Sequence, residues 1–391
     1  MFVVESILVA TVLLELSVRL LFAPPQAQGK QIISFTPRQH RDPDNHGADC
    51  YPSNPRGYFV RFEPESWKGA YAIETEHYKA IPLERIEKTP FCAEFRTNSH
   101  AHRGADHRKE RAPNTFRVLA VGDSFVFGEG VKDGDTMPAQ LQAILQAKHP
   151  ELAVEVVNLG MTGIHTEVEI TIHREHVDLD ADVVVLGYVL NDAFRVDAGD
   201  TKGRRADNMI IIRPGFMEGS SGWRKGLRRW SRLYDIITTR AEQRRITALT
   251  RDSYIDAFDV EANPEGLAKT RFMVNTFADD VRSTGAKVLV AVYPILFDLG
   301  DAYPFATAHR VLEGILDERG TPWLDLRDAY AGHSTESLQV HPVDHHPNEL
   351  AQRLSAEAVA AKLEAMGVVH ARPAPAVEPP HGRPLDGVVP R

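Results

Sequence analysis

The chain has 391 residues, of which 43% are hydrophobic and 25% charged, a balance that supports a sizeable packed core and excludes wholesale disorder. A mean hydropathy of −0.28 excludes a multi-span membrane protein, and a net charge of −9 argues against a general nucleic-acid binder. The two cysteines exclude a disulfide-rich scaffold and a four-cysteine zinc site.

Residues 2–23 are mostly apolar and end at Pro24 and Pro25. That length suits a helix across a bilayer, although Glu5, Glu15 and Arg19 interrupt it. Glu15 and Arg19 lie four apart and partly neutralise each other on one helix side. Neither a basic n-region nor a small-x-small cleavage site marks a signal peptide. Residues 1–24 are therefore expected to form an uncleaved membrane anchor; the alternatives are a signal peptide or an amphipathic helix lying on the body. Residues 25–115 are turn-rich, with Pro52, Asn54, Pro55 and Gly57 in quick succession, and are expected to form an irregular extension. Cys50 and Cys92 fall in it, either as a bridge formed in an oxidising compartment or as two separate thiols. Lys30, Arg38 and Arg41 after the apolar segment favour a cytoplasmic body. A cysteine bridge favours the opposite side, and an extracytoplasmic body is the expectation.

From Phe116 the pattern changes to apolar strands alternating with helical spacing. Strands are predicted over 116–121, 154–158, 182–187, 286–293 and 322–325. Helices are predicted over 139–148, 167–177, 267–284, 306–319 and 348–366. This alternation predicts an α/β domain, residues 116–370, with a parallel sheet covered on both faces. Ligands of such sheets sit beyond the carboxyl ends of the strands. Residues 192–266 interrupt the domain as a helical insertion. From Lys202 to Arg251 it carries thirteen Lys and Arg against four Asp and Glu, a local +9 that leaves about −18 elsewhere. It reads as a solvated lid helix with Trp223, Leu227 and Trp230 packed inward, or as a basic aromatic face for an anionic surface. Residues 371–391 are Pro-rich without periodicity and are expected to be disordered.

Four short stretches carry chemistry, each at a strand end or near the C-terminus. Gly122-Asp123-Ser124 places a serine between a buried strand and a helix. A serine alcohol needs a base to become a nucleophile, and a helix N-terminus offers N–H groups to a developing oxyanion. Ser124 taken alone also fits a helix cap. Asn158-Leu159-Gly160-Met161-Thr162-Gly163 supplies glycines whose N–H groups an anionic oxygen can approach. Asn191, before Asp192, supplies a neutral amide donor. Asp344-His345-His346-Pro347-Asn348 supplies a base and a carboxylate to orient it. A zinc site here would need a third ligand such as His341.

These blocks together resemble the SGNH hydrolase superfamily, the GDSL-type esterases, over about 116–366. The resemblance implies a three-layer α/β/α, flavodoxin-like fold and acyl-ester chemistry without cofactor or metal. It puts the nucleophile on Ser124, the base on His346 and its carboxylate on Asp344. It puts the oxyanion donors on Ser124, Gly163 (with Gly160 as fallback) and Asn191. Two departures stand out: Asp-x-His replaces the usual Asp-x-x-His, and Gly187 precedes Asn191 by four residues. The Asp-x-His form looks like that of membrane-anchored members tied to exopolysaccharide acylation. The expected substrate is thus an O-acyl, chiefly O-acetyl, ester of a cell-envelope or secreted polysaccharide, with water or a sugar hydroxyl as acceptor. A lipid ester and a catalytically silent carbohydrate-binding subunit are the alternatives.

Overall fold

The computed structural model describes residues 2–21, 31–34, 42–51, 53–54, 56–61, 72–75, 91–193, 223, 226–227, 230–342 and 344–371. Residues 372–391 of the tail expected to be disordered, and 194–222 of the insertion, lie outside the described residues.

The chain runs α1 (Phe2–Leu21), β1 (Gln31–Ser34), β2 (His46–Tyr51), β3 (Val60–Arg61), β4 (Ala72–Thr75) and β5 (Phe91–Arg96). It continues with β6 (Thr115–Gly122), α2 (Ser124–Phe127), α3 (Met137–Lys148), β7 (Ala153–Asn158), α4 (Thr166–Glu175) and β8 (Val183–Val189). After the insertion come α5 (Arg232–Ala257), α6 (Pro264–Ser283), β9 (Lys287–Tyr293), α7 (Ala306–Asp317) and β10 (Trp323–Asp325). The chain closes with α8 (Thr335–Leu338), β11 (Gln339–His341), β12 (Asp344–Pro347) and α9 (Glu349–Ala365).

The central sheet has the order β10-β9-β8-β6-β7, and every pairing in it is parallel. All residues of β6 and β8 are buried. Each large apolar side chain so buried contributes roughly 1.5–3 kcal/mol, and this is why apolar runs rather than alternation marked these strands. Helix α9 packs on α3, while α4 packs on α6 and α6 on α7, completing the α/β/α layering. At the carboxyl ends of β6 and β8, Gly122 and Gly187 leave no room for a Cβ, because Val126 of α2 fills that space. Two side-chain-free strand ends thus seat the short helix that begins at Ser124.

The described parts of 31–96 include regular structure. Their strands form a second, antiparallel sheet of order β3-β5-β2-β1-β4. Cys50 on β2 lies opposite Cys92 on β5, and the two form a disulfide.

The N-terminal segment forms helix α1. Among the described residues no helix is long and apolar enough to cross a membrane. Helix α1 packs on α5 and uses its charges there. The Glu15 carboxylate accepts hydrogen bonds from Ser231 Oγ at 2.9 Å and from the N–H groups of Arg232 at 2.7 Å and Leu233 at 2.9 Å. Arg19 bonds both Glu15 and the carbonyl of Trp230. Glu15 thereby caps the positive end of α5. Burial opposes its charge, but these donors outweigh it and pull the carboxyl down to about 2. Trp223 and Trp230, expected to pack inward in the lid reading, are 64% and 75% exposed.

Candidate active site

Ser124 opens α2 where β6 ends. Asp123 caps this helix, its Oδ1 accepting the Phe125 N–H at 2.8 Å. The Ser124 Oγ lies 2.8 Å from His346 Nε2. His346 comes from β12, where residues two apart face the same side, so Asp344 and His346 project together and His345 turns away. Nδ1 of His346 bonds Asp344 Oδ1, and the His346 backbone N–H approaches the same oxygen at 3.3 Å. A carboxylate acceptor on Nδ1 assigns the ring proton to that nitrogen. The lone pair of Nε2 is then left facing the serine hydroxyl, the arrangement a general base needs. Ser124 is 8% exposed, the His346 side chain 11%, and Asp344 fully buried. The array is therefore dry at its acid end and open at its alcohol end.

The structure brings Ser124, His346 and Asp344 into direct contact. Asn191 follows β8 and reaches the residue before the serine, its Nδ2 donating to Asp123 Oδ2 at 3.4 Å. Gly163 lies in the loop between β7 and α4, exposed, in a left-handed turn with φ of 70°. That loop is held beside β6 by the Met161 N–H, which donates to the Gly122 carbonyl at 3.0 Å. Gly160 is the weaker donor of the two glycines, because its N–H already serves Asn158 Oδ1 at 2.9 Å. Of the two adjacent histidines, the one that reaches Ser124 is His346; burial pulls the His345 imidazole below its ordinary range.

Several residues at the site were missed in the sequence. Tyr51 of β2 donates its hydroxyl to Asp344 Oδ2 at 2.9 Å. Glu129, buried just after α2, places Oε2 3.6 Å from His346 Nε2. The only available signal for it was a charged residue between Gly128 and Gly130, soon after the serine. Glu129, Asp344 and His346 can each bring one ligand atom within 4.8 Å of the others, the one such trio among the described residues. A metal ion would take its third ligand from Glu129, whereas His341 is turned to Ser53 Oγ at 3.0 Å. The imidazole that would bind it is the one already shared between Asp344 and Ser124.

Behind the serine lies a group of buried acids. Burial pushes the Asp123 carboxyl up to about 6, against the pull of the Phe125 N–H, His346 and Asn191. Glu169 on α4 and Asp192 after β8 are raised well above the ordinary carboxylate range, first by burial, then by the Asp123 charge at Glu169 and by the Glu169 and Asp123 charges at Asp192. Their carboxylate oxygens have no partner at ordinary hydrogen-bond geometry, and only weaker contacts, with Thr166 for both and with the Val189 backbone for Asp192, oppose the shift.

Solved structures similar in fold include an acetylxylan esterase from Geobacillus stearothermophilus, studied as a catalytic mutant. It is 15% identical, covering 66% of this chain and 96% of that chain with a TM-score of 0.39. A lipase/acylhydrolase from Enterococcus faecalis is 14% identical, covering 64% of this chain and 96% of that chain with a TM-score of 0.39. A psychrotrophic esterase from a Pseudoalteromonas species is 13% identical, covering 65% of this chain and 98% of that chain with a TM-score of 0.38. No curated protein matches the chain. The family model of the GDSL-like Lipase/Acylhydrolase family matches residues 120–354, well over half the chain. The parallel sheet, the serine at its carboxyl edge and this match agree: the chain belongs to the GDSL-like lipase/acylhydrolase family of SGNH type, and it is an ester-hydrolysing enzyme.

Proposed function

We propose that the protein is a serine esterase or acyltransferase that removes O-acyl groups, chiefly O-acetyl, from a cell-envelope or secreted polysaccharide. The observation that carries the chemistry is the 2.8 Å contact between Ser124 Oγ and an imidazole whose other nitrogen is held by buried Asp344. His346 takes the hydroxyl proton as Ser124 attacks the ester carbonyl. The tetrahedral oxyanion is held by the Ser124 and Gly163 N–H groups and the Asn191 amide. His346 returns the proton to the leaving alcohol, forming the acyl-enzyme. Water, or a sugar hydroxyl in a transfer reaction, then gives its proton to His346 as it attacks the acyl carbonyl, and His346 passes that proton to Ser124 Oγ as the free acid or new ester leaves.

The Asp-x-His form of the last block supports the polysaccharide as substrate. The slight exposure of Ser124 suits a compact acyl group such as acetyl better than a long chain. The Cys50–Cys92 bond supports an extracytoplasmic body, because such bonds persist where the compartment is oxidising. Exposed Trp223 and Trp230 beside the basic stretch favour a second reading, a lipid esterase approaching an anionic surface.

The test is the Ser124→Ala variant. It should lose hydrolysis of a small acetyl ester and labelling by a fluorophosphonate; full activity would end the proposal. Release of acetate from acetylated polysaccharide, compared with fatty-acid release from lysophospholipid vesicles, decides between the two substrates.

A further inference from the structure

We infer that the N-terminal sheet is a working part of the active site, with Tyr51 as the positioning residue for Asp344 and the Cys50–Cys92 bond holding Tyr51 in place. The inference rests on the catalytic reading of Ser124, His346 and Asp344 given above.

Asp344 has two oxygens and both are engaged. Oδ1 receives the His346 Nδ1 and backbone N–H groups, and Oδ2 receives the Tyr51 hydroxyl. Tyr51 is 1% exposed and Asp344 0%, so water cannot replace that donor. A carboxylate bonded through both oxygens cannot turn about its χ2 without losing one bond, and its angle sets the plane of the imidazole. Burial, then the charges of Asp344, Asp49 and Glu129, push the Tyr51 phenol far up. It therefore stays protonated and remains a donor at any working pH.

The same strand holds the other half of the site. Asp49 and Tyr51 are two apart on β2 and project to one side. Asp49 Oδ2 accepts the Gly130 N–H at 2.7 Å, fixing the loop that carries Glu129 beside the imidazole. The Tyr51 ring is held between Phe59, with centroids 4.7 Å apart, and His341, at 5.4 Å, both stacked. Between Asp49 and Tyr51 sits Cys50, bonded to Cys92 in the register of the β2–β5 pair. The disulfide thus falls at the point where a slip of β2 would carry both side chains off their targets. It joins strands 42 residues apart in sequence, while the hydroxyl it steadies reaches a carboxylate 293 residues away.

Tyr51→Phe removes the hydroxyl and keeps the ring packing. We expect kcat on a small acetyl ester to fall about tenfold with KM unchanged. The acid limb of kcat/KM should move to higher pH. An Asp344 without its second donor is more basic and holds the imidazolium more strongly, so more alkali is needed to free Nε2. The low-field proton resonance of His346 Nδ1 should shift with it. A packing role alone would move neither the limb nor the resonance. Should Tyr51→Phe melt early, wild-type enzyme treated with dithiothreitol is the second measurement. The dithiol is oxidised to its cyclic disulfide as Cys50 and Cys92 become thiols. Activity should then fall, return on reoxidation, and fall less in Tyr51→Phe than in wild type. Unchanged kcat and pH profile in Tyr51→Phe, or unchanged wild-type activity after complete reduction, overturns the inference. Absence of fluorophosphonate labelling at Ser124 in the wild type would instead overturn the catalytic reading beneath it.

Discussion

Two sets of buried carboxylates lie close to Ser124 and differ in what touches them. Asp344 receives three donors, from the ring and backbone of His346 and from Tyr51. Glu169 and Asp192 are as deeply buried, yet no donor meets their oxygens at ordinary hydrogen-bond geometry, and only weaker contacts with Thr166 and the Val189 backbone remain. The same functional group at the same burial is thus set up as a charged anchor in one place and as a neutral or proton-sharing acid in the other. Donors, not depth, decide which carboxylate can do chemistry.

The largest test of that contrast is Asp344→Asn. An amide leaves the packing intact but no longer fixes the proton on Nδ1, so kcat should fall by about 10³–10⁴ on a small acetyl ester. A loss below about tenfold would reduce Asp344 to a packing residue and erase the distinction between the two sets. Asn191→Ala comes next. In the proposed mechanism this removes one oxyanion donor, a change that typically costs about 10²–10³ in turnover, with the effect in kcat rather than KM. Because Asn191 also bonds Asp123, an equal loss in Asn191→Asp would separate the need for a donor from the need for a side chain.

The smallest effect concerns stability and comes from the other set. The folded-state pKa values of Glu169 and Asp192 lie above those of the unfolded chain. As pH rises past about 4, the unfolded state releases these protons first, so folding stability falls with rising pH until the folded groups ionise. Asp123, pushed up to about 6, adds to the same slope between about pH 4 and 6. Glu169→Gln should therefore flatten the slope and raise Tm near neutral pH by ~2–4 °C. A thermal-melt series across pH 4–8 measures it, and a lower Tm at every pH would show that the carboxylate is needed in its place.

How far the sequence could be read follows from how far apart the partners lie. The central strands announce themselves in contiguous apolar runs such as Val183–Val189, so their order of appearance and parallel pairing were legible. Ser124 and the Asp344–His346 pair were legible because each sits in a short block whose chemistry is local. Tyr51 was not, since its partner is 293 residues on and its neighbours are turn formers. The sheet around it was hidden for the same reason: strands β3 and β4 are two and four residues long, and connections dominate the composition. Glu169 and His173 could have been found, because they fall with Thr166 and Ile170 on the buried side of α4. The contacts of the N-terminal helix were not legible because hydropathy treats a segment as if nothing packs on it. The meaning of Glu15 is set by Ser231, Arg232 and Leu233, more than two hundred residues later.

Gly122 and Gly187 bear on how such an enzyme can change over time. With Val126 filling the space above both strand ends, even a methyl group there would lift the nucleophile off its seat. The floor of the site is therefore a fixed casting, closed to gradual remodelling. New substrate preferences have to be written at the rim, and laboratory libraries aimed at altered selectivity belong in the loops after β7 and β8 rather than beneath the serine.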